Sequence, residues 1–370
     1  VRKSFKYKII PLGNAEEKAF KTLDLCRFLY NCALEERILA YRDSKSLSYY
    51  DQQNELPDLK EAFPEYKEVG AHVLQNVLKR LDTVYQNFFR RVKTGKGKAG
   101  FPRFKGRNWF RSFTFPDNSG WKVKKNRLVL SKVGEFKIRL HRPIEGTIKT
   151  VTIAYRSTGE WFVIFSCDGI ESKPLSKTGK SVGIDLGISS FAVDSDGAIM
   201  DAPKFFRAQE KYLRRCQRAL ARKKKGGKNR ERARIRVAKA HQKVVNQRHD
   251  FFYKMANHYV RNYDEIFVED LRIKNMIKNK RLSKSLADAA MGNFLNILGG
   301  KAANAGRIFQ RENPRRTSMT CSDCGNVQKM PLHKRVYKCS KCGVEKCRDY
   351  NAAINIKRAG QARLELSTCL

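Results

Sequence analysis

Three carboxylates occupy positions where an acid is costly in a folded chain. Asp185 interrupts the apolar run VGIDLGI, Glu269 ends the run IFVE, and Asp349 lies two residues before the run NAAINI. An acid in a buried element is unfavourable unless it is paired or bound to a metal ion. If the fold brings the three together, two Mg²⁺ ions about 4 Å apart would offset their repulsion and support phosphodiester cleavage. The pattern therefore predicts a two-metal nuclease site.

Each acid also has an ordinary structural explanation when it is taken alone. Asp185 could be a turn residue between glycines, Glu269 or Asp270 could cap the following segment, and Asp349 could be a helix N-cap. The nuclease interpretation depends on the occurrence of all three acids, in this order, in a strongly basic chain.

Two Cys-x-x-Cys pairs give the most specific signal in the sequence. The four cysteines are Cys321, Cys324, Cys339 and Cys342, and 14 residues separate the two pairs. This pattern predicts a zinc ribbon with one structural Zn²⁺, because four sulfurs close the coordination sphere and leave no position for water. Free thiols in a small core are the alternative. Cys347 and His333 lie nearby in the sequence and are weaker candidates for zinc ligands than the four cysteines.

The charge balance of the chain excludes most ordinary enzymes. In 370 residues, 77 Lys and Arg against 36 Asp and Glu leave a net charge of +41. Such a surplus predicts a polyanionic partner, and nucleic acid fits better than an anionic membrane surface. No apolar run is long enough for a membrane span, and the paired cysteines favour metal binding in a reducing compartment. We expect a soluble, intracellular protein with no membrane partner.

Two segments concentrate the positive charge. Residues 90–111 contain nine Lys or Arg and no acid, interleaved with aromatic side chains, and residues 204–248 contain 18 Lys or Arg against two acids. Basic and aromatic side chains together suit a surface that neutralises phosphates and stacks bases. A solvated basic loop and solvated helices are the alternatives. The candidate nucleic-acid contacts are Arg103, Lys105, Arg107, Arg111, Arg222, Lys223, Lys224, Lys225 and Arg230.

The elements that must position these groups follow from hydrophobic periodicity. Before residue 175, strands are predicted at 5–9, 127–130, 135–140, 148–155 and 161–167, and helices at 15–42 and 70–91. After residue 180, strands are predicted at 181–188, 191–193, 198–200, 266–269 and 307–310, and helices at 204–248 with a break at 226–227, at 251–263, at 285–306 and at 351–360. The regularly spaced short strands before residue 175 favour a small β-barrel or sandwich. The three strands that follow residue 180 favour an antiparallel meander. The chain is therefore predicted to be an α+β multidomain protein.

The ordered motifs resemble those of one family. GIDLG around Asp185, VED at Glu269, the CSDCG and CSKCG knuckles, and RDYNAAINI around Asp349 resemble the nuclease segment of TnpB proteins. These are insertion-sequence-encoded RNA-guided DNA endonucleases related to type V CRISPR effectors. The motifs cover roughly residues 181–358, and before residue 181 only the layout is similar. Relatives often have an acid at the position that Cys347 occupies here. This departure from the family pattern leaves Asp349, the expected catalytic acid, in place.

The resemblance implies a domain layout. An RNase H-like (RuvC) nuclease domain would comprise residues 178–312 and 346–370, with an inserted zinc-ribbon target-nucleic-acid-binding domain at 313–345. A small wedge β-barrel would comprise residues 1–12 and 98–172 and carry a helical recognition domain at 13–97.

The resemblance also implies an activity. Asp185, Glu269 and Asp349 would be the catalytic acids and hold two Mg²⁺, and the four cysteines would hold one Zn²⁺. A guide RNA from the transposon end would direct a monomer to double-stranded DNA beside a short motif, and the RuvC site would cut both strands. A nuclease-silent, guide-directed repressor or transposition regulator is the alternative. A guide-independent transposase or resolvase with the same fold is a third hypothesis.

Overall fold

The structure is a computed structural model that describes residues 2–95, 97–271, 273–276, 278–279, 282–331 and 333–368. The chain divides into two compact units, residues 1–171 and residues 172–370. Within the described residues, none of the helices combines the length and the apolar character that crossing a bilayer requires.

The first unit contains a seven-stranded antiparallel sheet and a set of helices. The strands are β1 (Lys3–Pro11), β2 (Ser112–Phe115), β3 (Trp121–Lys124), β4 (Arg127–Leu130), β5 (Gly134–Ile138), β6 (Thr147–Tyr155) and β7 (Trp161–Asp168). The helices are α1 (Ala15–Arg42), α2 (Tyr49–Asn54), α3 (Leu56–Ala62) and α4 (Ala71–Thr94), with a 3-10 helix at Pro64–Glu68. The strand order is β2-β6-β7-β1-β5-β4-β3.

The core of the first unit follows from alternation along β1. Phe5, Tyr7 and Ile9 are buried, whereas the lysines between them point to the other face. The long first helix has the bounds that periodicity predicted. The sequence did not predict the short elements α2, α3, β2 and β3, because runs of only four to seven residues carry little periodic signal. The barrel interpretation of this unit stays a prediction.

The second unit is built on a five-stranded mixed sheet. Its strands are β8 (Ser181–Leu186), β9 (Ser190–Asp194), β10 (Ile199–Asp201), β11 (Glu265–Glu269) and β12 (Ile308–Glu312), and a small hairpin contains β13 (Val336–Lys338) and β14 (Glu345–Cys347). The helices are α5 (Phe205–Ala221), α6 (Lys228–Asn262), α7 (Ile273–Met276), α8 (Ser283–Ala289), α9 (Met291–Asn304) and α10 (Arg348–Thr368). The sheet order is β10-β9-β8-β11-β12, in which β8, β9 and β10 form the predicted antiparallel meander, and β11 runs parallel to both β8 and β12.

Three helix predictions in this unit were wrong in their bounds. The run at 251–263 continues α6, because no glycine or proline interrupts residues 228–262. The helix predicted at 285–306 is two helices, since Ala290 adopts a left-handed conformation with φ of +49° and interrupts the helical hydrogen bonds. The last helix begins at Arg348, so Asp349 lies inside its first turn.

Helices cover the two faces of the five-stranded sheet. On one face, Val182 and Ile184 of β8 pack with Phe252 of α6 and Phe294 of α9. On the other face α10 lies directly on the strands. A β-carbon at Gly183 would overlap the carbonyl oxygen of Ala353, so this close approach of α10 requires glycine at that position.

Candidate active site and metal centre

The sheet places two of the predicted acids side by side. β8 and β11 are parallel neighbours in which Ile184 is opposite Val268, and the next residue on each strand is Asp185 or Glu269. Both carboxylates project toward the face that α10 covers, because Gly183, two residues before Asp185, contacts that helix. Asp349 lies in the first turn of α10. The fold therefore brings together three acids that are far apart in the sequence.

The electrostatics of the three acids depend on one another. Burial, and next the negative charges of Glu269 and Asp349, raise the pKa of Asp185 to about 8. Burial also raises the pKa of Glu269, and the charge of Asp349 adds to this effect. Every pair among the three carboxylates therefore repels, which is the condition that a bound cation relieves.

Neighbouring groups that the sequence analysis did not identify partly compensate this repulsion. The Thr317 hydroxyl donates to Glu269 Oε1 at 2.5 Å, and this bond opposes the rise in the pKa of Glu269. The charge of Arg348 opposes the rise in the pKa of both Asp185 and Glu269. Arg335 Nη1 lies 3.7 Å from Asp349 Oδ2, and Arg335 Nη2 donates to the Ser189 hydroxyl at 3.0 Å. Only the position of Thr317 and Arg335 near the cysteines could have drawn attention to them.

Asparagines of α10 fix the segment that leads into the cysteine module. The Asn351 amide donates to the carbonyl of Thr320 and accepts from the backbone N–H of Ser322. One turn later, Asn355 donates to the carbonyls of Thr317 and Thr320. Because Asn351 is fully buried two residues after Asp349, the same helix that carries the third acid also holds the module.

The four predicted zinc ligands form a compact cluster. Cys321 Sγ lies 3.7 Å from Cys342 Sγ, and Cys324 Sγ lies 3.6 Å from Cys339 Sγ. All four sulfurs lie within 4.8 Å of one another. A tetrahedral Zn²⁺ with Zn–S bonds of about 2.3 Å would place its sulfurs about 3.8 Å apart, so the donor set fits this ion. A hydrogen bond from the Cys342 backbone lowers the pKa of Cys339 to about 6, which favours the thiolate that a metal binds.

The rival ligands lie outside this cluster. Among the residues that the structure describes, the four cysteines are the group whose ligand atoms all approach within 4.8 Å, and neither Cys347 nor His333 belongs to it. The three carboxylates do not form such a group either. The four sulfurs are therefore spaced to hold a single ion, whereas the carboxylate oxygens of the three acids lie farther apart.

Comparisons with known proteins show the family to which the chain belongs. A protein of Streptomyces pristinaespiralis named as an RNA-guided DNA endonuclease is 34% identical over 372 residues, which cover 98% of this chain and 90% of that protein. The chain belongs to the TnpB family. InsQ of Escherichia coli K12, with the same description, is 29% identical over 98% of this chain and 93% of its own length.

Family profiles match three parts of this TnpB-family chain. The profile described as "Probable transposase" matches residues 164–280, the Cas12f1-like TNB domain matches residues 292–356, and a helix-turn-helix domain matches residues 1–46. The fold is similar to that of Cas12f1 in a solved Cas12f1–sgRNA–target DNA complex, with a TM-score of 0.57 and 17% identity over 92% of this chain and 82% of that one. The TNB match contains the four-cysteine cluster.

The basic residues predicted from the first segment lie around one loop. Arg103 and Arg107 are exposed, and Arg107 pairs with Asp24 at 3.1 Å. The Lys105 amine lies over the Tyr30 ring, and Arg111 is half-buried beside Asn108. The loop therefore uses part of its charge for contacts within the first unit.

The basic residues of the second segment lie at the tip of the α5–α6 hairpin. The exposed members are Arg222, Lys223, Lys224 and Lys225. Arg230 has a different role, because its Nη1 donates to the carbonyls of Leu220 and Lys223. Arg230 thus shapes the turn, and the exposed cations remain the better candidates for phosphate contacts.

Proposed function

We propose that this chain is an RNA-guided DNA endonuclease whose cutting centre is formed by Asp185, Glu269 and Asp349. The main support is that two parallel strands and the start of α10 bring the three carboxylates together in a member of the TnpB family. The enzyme is a hydrolase that acts on phosphodiester bonds of DNA.

The three acids would hold two Mg²⁺ ions. Their mutual repulsion and their burial fit this role, since each carboxylate oxygen is a preferred Mg²⁺ ligand. Such a site would supply Lewis-acid chemistry, in which a water is activated for in-line attack and the leaving 3′-oxygen is stabilised. Asp185 would supply a carboxylate to this site from β8, and Thr317 orients Glu269 through its hydroxyl.

Arg335 would bind the substrate beside these acids. Its guanidinium lies between Asp349 and Ser189, and a guanidinium offers several N–H donors that match phosphate oxygens. In the substrate complex, Arg335 would exchange its contact with Asp349 for one with the DNA phosphate next to the scissile bond.

The cysteine cluster would hold one structural Zn²⁺. The hydrogen bonds of Asn351 and Asn355 to the preceding segment connect the module to α10. Zinc would thereby help to place Thr317 and Arg335 next to the acids without touching the reaction itself.

The domain layout follows the family. We assign residues 178–312 and 346–370 to an RNase H-like (RuvC) nuclease domain and 313–345 to the zinc ribbon. The order β10-β9-β8-β11-β12 supports this assignment, since it combines an antiparallel meander with two parallel strands. Residues 1–12 and 98–172 would form the wedge barrel, and 13–97 the recognition domain.

The partners are RNA and DNA. A net charge of +41 suits a guide RNA together with a target heteroduplex, and the exposed cations of the first basic loop and of the α5–α6 tip are candidate contacts. The guide would come from the transposon end, and the protein would act as a monomer, because a single chain supplies all three acids.

The test begins with the RNA. The protein is purified from cells that carry its native locus, and the RNA that copurifies is sequenced. Double-stranded DNA that matches this RNA beside a short flanking motif is then incubated with the complex and Mg²⁺. Cleavage that requires both the matching sequence and Mg²⁺ supports the proposal. Tight binding of the target without cleavage would instead support the nuclease-silent regulator, and cleavage without RNA would support the guide-independent enzyme.

A further inference from the structure

The connection between α4 and β2 presents aromatic side chains to solvent. It comprises residues 95–111, and none of its described residues lies in a helix or a strand. Phe101, Phe104 and Trp109 are 49%, 55% and 83% exposed. A connection of this length without secondary structure is uncommon in a compact unit and is often functional. We call these three side chains the aromatic loop.

Helices α1 and α4 hold this connection in place. The Asn31 amide of α1 donates to the Lys105 carbonyl at 3.1 Å and accepts from the Lys105 backbone N–H at 2.8 Å. Near the end of the connection Phe110 is buried, and the Arg80 guanidinium of α4 lies 4.8 Å from the centroid of its ring. The backbone is therefore anchored directly after Phe104 and directly after Trp109.

The exposed apolar surface continues from the connection onto the end of α4. Phe101 makes edge-to-face contacts with the rings of Tyr85 and Phe88, with centroids 5.8 and 5.4 Å apart. Phe89, the next residue of α4, is 59% exposed. The two ring contacts orient Phe101 while about half of its surface stays open to solvent. Exposed apolar surface that forms a contiguous patch commonly marks a binding site.

Positive charge surrounds these rings. Residues 90–111 contain nine Lys or Arg and no acid, and Arg91, Lys98 and Arg103 are among the exposed cations. Such a surface attracts a polyanion. Nucleic acid combines negative charge with planar rings, because every nucleotide has a phosphate and every base has a π-face. Charge complementarity therefore favours nucleic acid over a protein as the partner of the aromatic loop.

Exposed rings stack on bases only where those bases are unpaired. In a DNA duplex the bases are stacked on one another, whereas sequence-specific binding of RNA mostly targets loops, bulges and ends whose bases are unstacked. The guide RNA is also the nucleic acid that the protein would carry before it meets a target. Guide RNA is therefore favoured over target DNA as the occupant.

We propose that the aromatic loop stacks on unpaired bases of the guide RNA, and that the exposed cations around it hold the adjoining phosphates. The proposal rests on the proposed function, since it takes a guide RNA as the partner. It adds to the candidate phosphate contacts three residues that bind through their rings.

Ultraviolet crosslinking tests the aromatic loop without requiring cleavage. The full-length protein is purified with its RNA and without target DNA, irradiated and digested, and mass spectrometry identifies the peptides that carry RNA. We expect crosslinks within residues 99–111. RNA crosslinks confined to other peptides would overturn this proposal alone, and so would crosslinks in this segment that form only after target DNA is added. A protein that copurifies with no RNA would overturn the proposed function as well.

Two matched variants measure the contribution of one ring. Phe104→Ala should speed the dissociation of labelled guide RNA from the complex about tenfold, as expected for the loss of one stacked base. Phe63→Ala is the control, because Phe63 has a similar exposure of 52% but lies between the acids Glu61 and Glu65. This control should leave the dissociation rate unchanged. Equal rates for the two variants would contradict the proposal, and thermal melting shows whether each variant is folded.

Other replacements of Phe104 separate base stacking from apolar packing and from charge. Phe104→Trp keeps an aromatic face and should retain slow dissociation, whereas Phe104→Leu keeps only apolar bulk and should behave like Phe104→Ala. Because stacking neutralises no phosphate, the effect of Phe104→Ala should be equal at low and high salt. A normal rate for Phe104→Leu, or an effect that vanishes at high salt, would contradict stacking. None of these measurements needs cleavage, so a failure to cut DNA would overturn the proposed function and leave this proposal to be decided by the RNA.

Discussion

The cysteine cluster and the three carboxylates show two ways in which a fold brings candidate metal ligands together. The four cysteines lie within residues 321–342, and their sulfurs already approach within 4.8 Å. The three acids come from residues 185, 269 and 349, on two strands and a helix, and they do not form a group of that spacing. A local module can thus close a coordination sphere by itself. The acid site depends on the packing of α10 on the sheet, so changes in that packing should harm it first.

Removing an acid should have the largest effect on the activity. Asp185→Ala deletes the carboxylate that interacts with both other acids, and we expect cleavage to fall by at least about 10³-fold, because the loss of an essential catalytic group commonly costs this much. Binding of guide RNA and target DNA should persist in gel-shift measurements. Asp201→Ala removes an exposed carboxylate of β10 in the same sheet and serves as the matched control. If Asp185→Ala still cuts near the normal rate, the catalytic centre lies elsewhere in the protein.

Removing a cysteine should have the next largest effect. Cys321→Ser should abolish binding of one Zn²⁺ per chain and lower cleavage about 10- to 100-fold, because the zinc module positions groups beside the acids. Metal analysis and cleavage assays measure the two quantities. Cys347→Ser is the control for the metal content, since Cys347 lies outside the cluster and should leave the zinc bound. A zinc-free Cys321→Ser protein with full activity would show that the acid site does not depend on the zinc module.

Disturbing the contact between α10 and the sheet should have an intermediate effect. In Gly183→Ala the new β-carbon meets backbone atoms of Ala353 and Lys357, and we expect destabilisation of about 1–3 kcal/mol. Cleavage should fall more than zinc content, because the shifted helix carries Asp349. Gly300→Ala is the control, since a β-carbon there meets nothing within 4 Å and should stabilise α9 by up to about 1 kcal/mol. Equal melting temperatures of the two variants would argue against the tight packing of α10.

The smallest effect should come from one hydroxyl. Thr317→Val removes the donor to Glu269 at similar volume, and cleavage should fall about tenfold, as for a hydrogen bond to a charged group worth about 1.5 kcal/mol. The Thr317 bond lowers the pKa of Glu269, so its loss raises that pKa further. The ratio of normal to variant activity should therefore increase as the pH falls, which a pH–rate profile measures. A ratio that is constant with pH would contradict this role of Thr317.

The sequence predicted much of the fold where the pattern is local. The bounds of α1, the meander β8–β10 and the break between α5 and α6 follow from periodicity and from glycine positions. The division of α8 from α9 did not, because the left-handed conformation of Ala290 has no signal in an alanine-rich run. The four cysteines were predicted as a group and lie together, since their spacing is a local property.

The amino-acid sequence by itself determined the charge of the chain, the cysteine pairs and which acids interrupt apolar elements. Only the tertiary structure decided that Asp185 and Glu269 are neighbours, that Thr317 bonds to Glu269, and that Arg335 lies beside Asp349. The physical reason is that these contacts join residues many positions apart. Periodicity reports which face of an element is buried, whereas strand order and helix packing decide which faces meet.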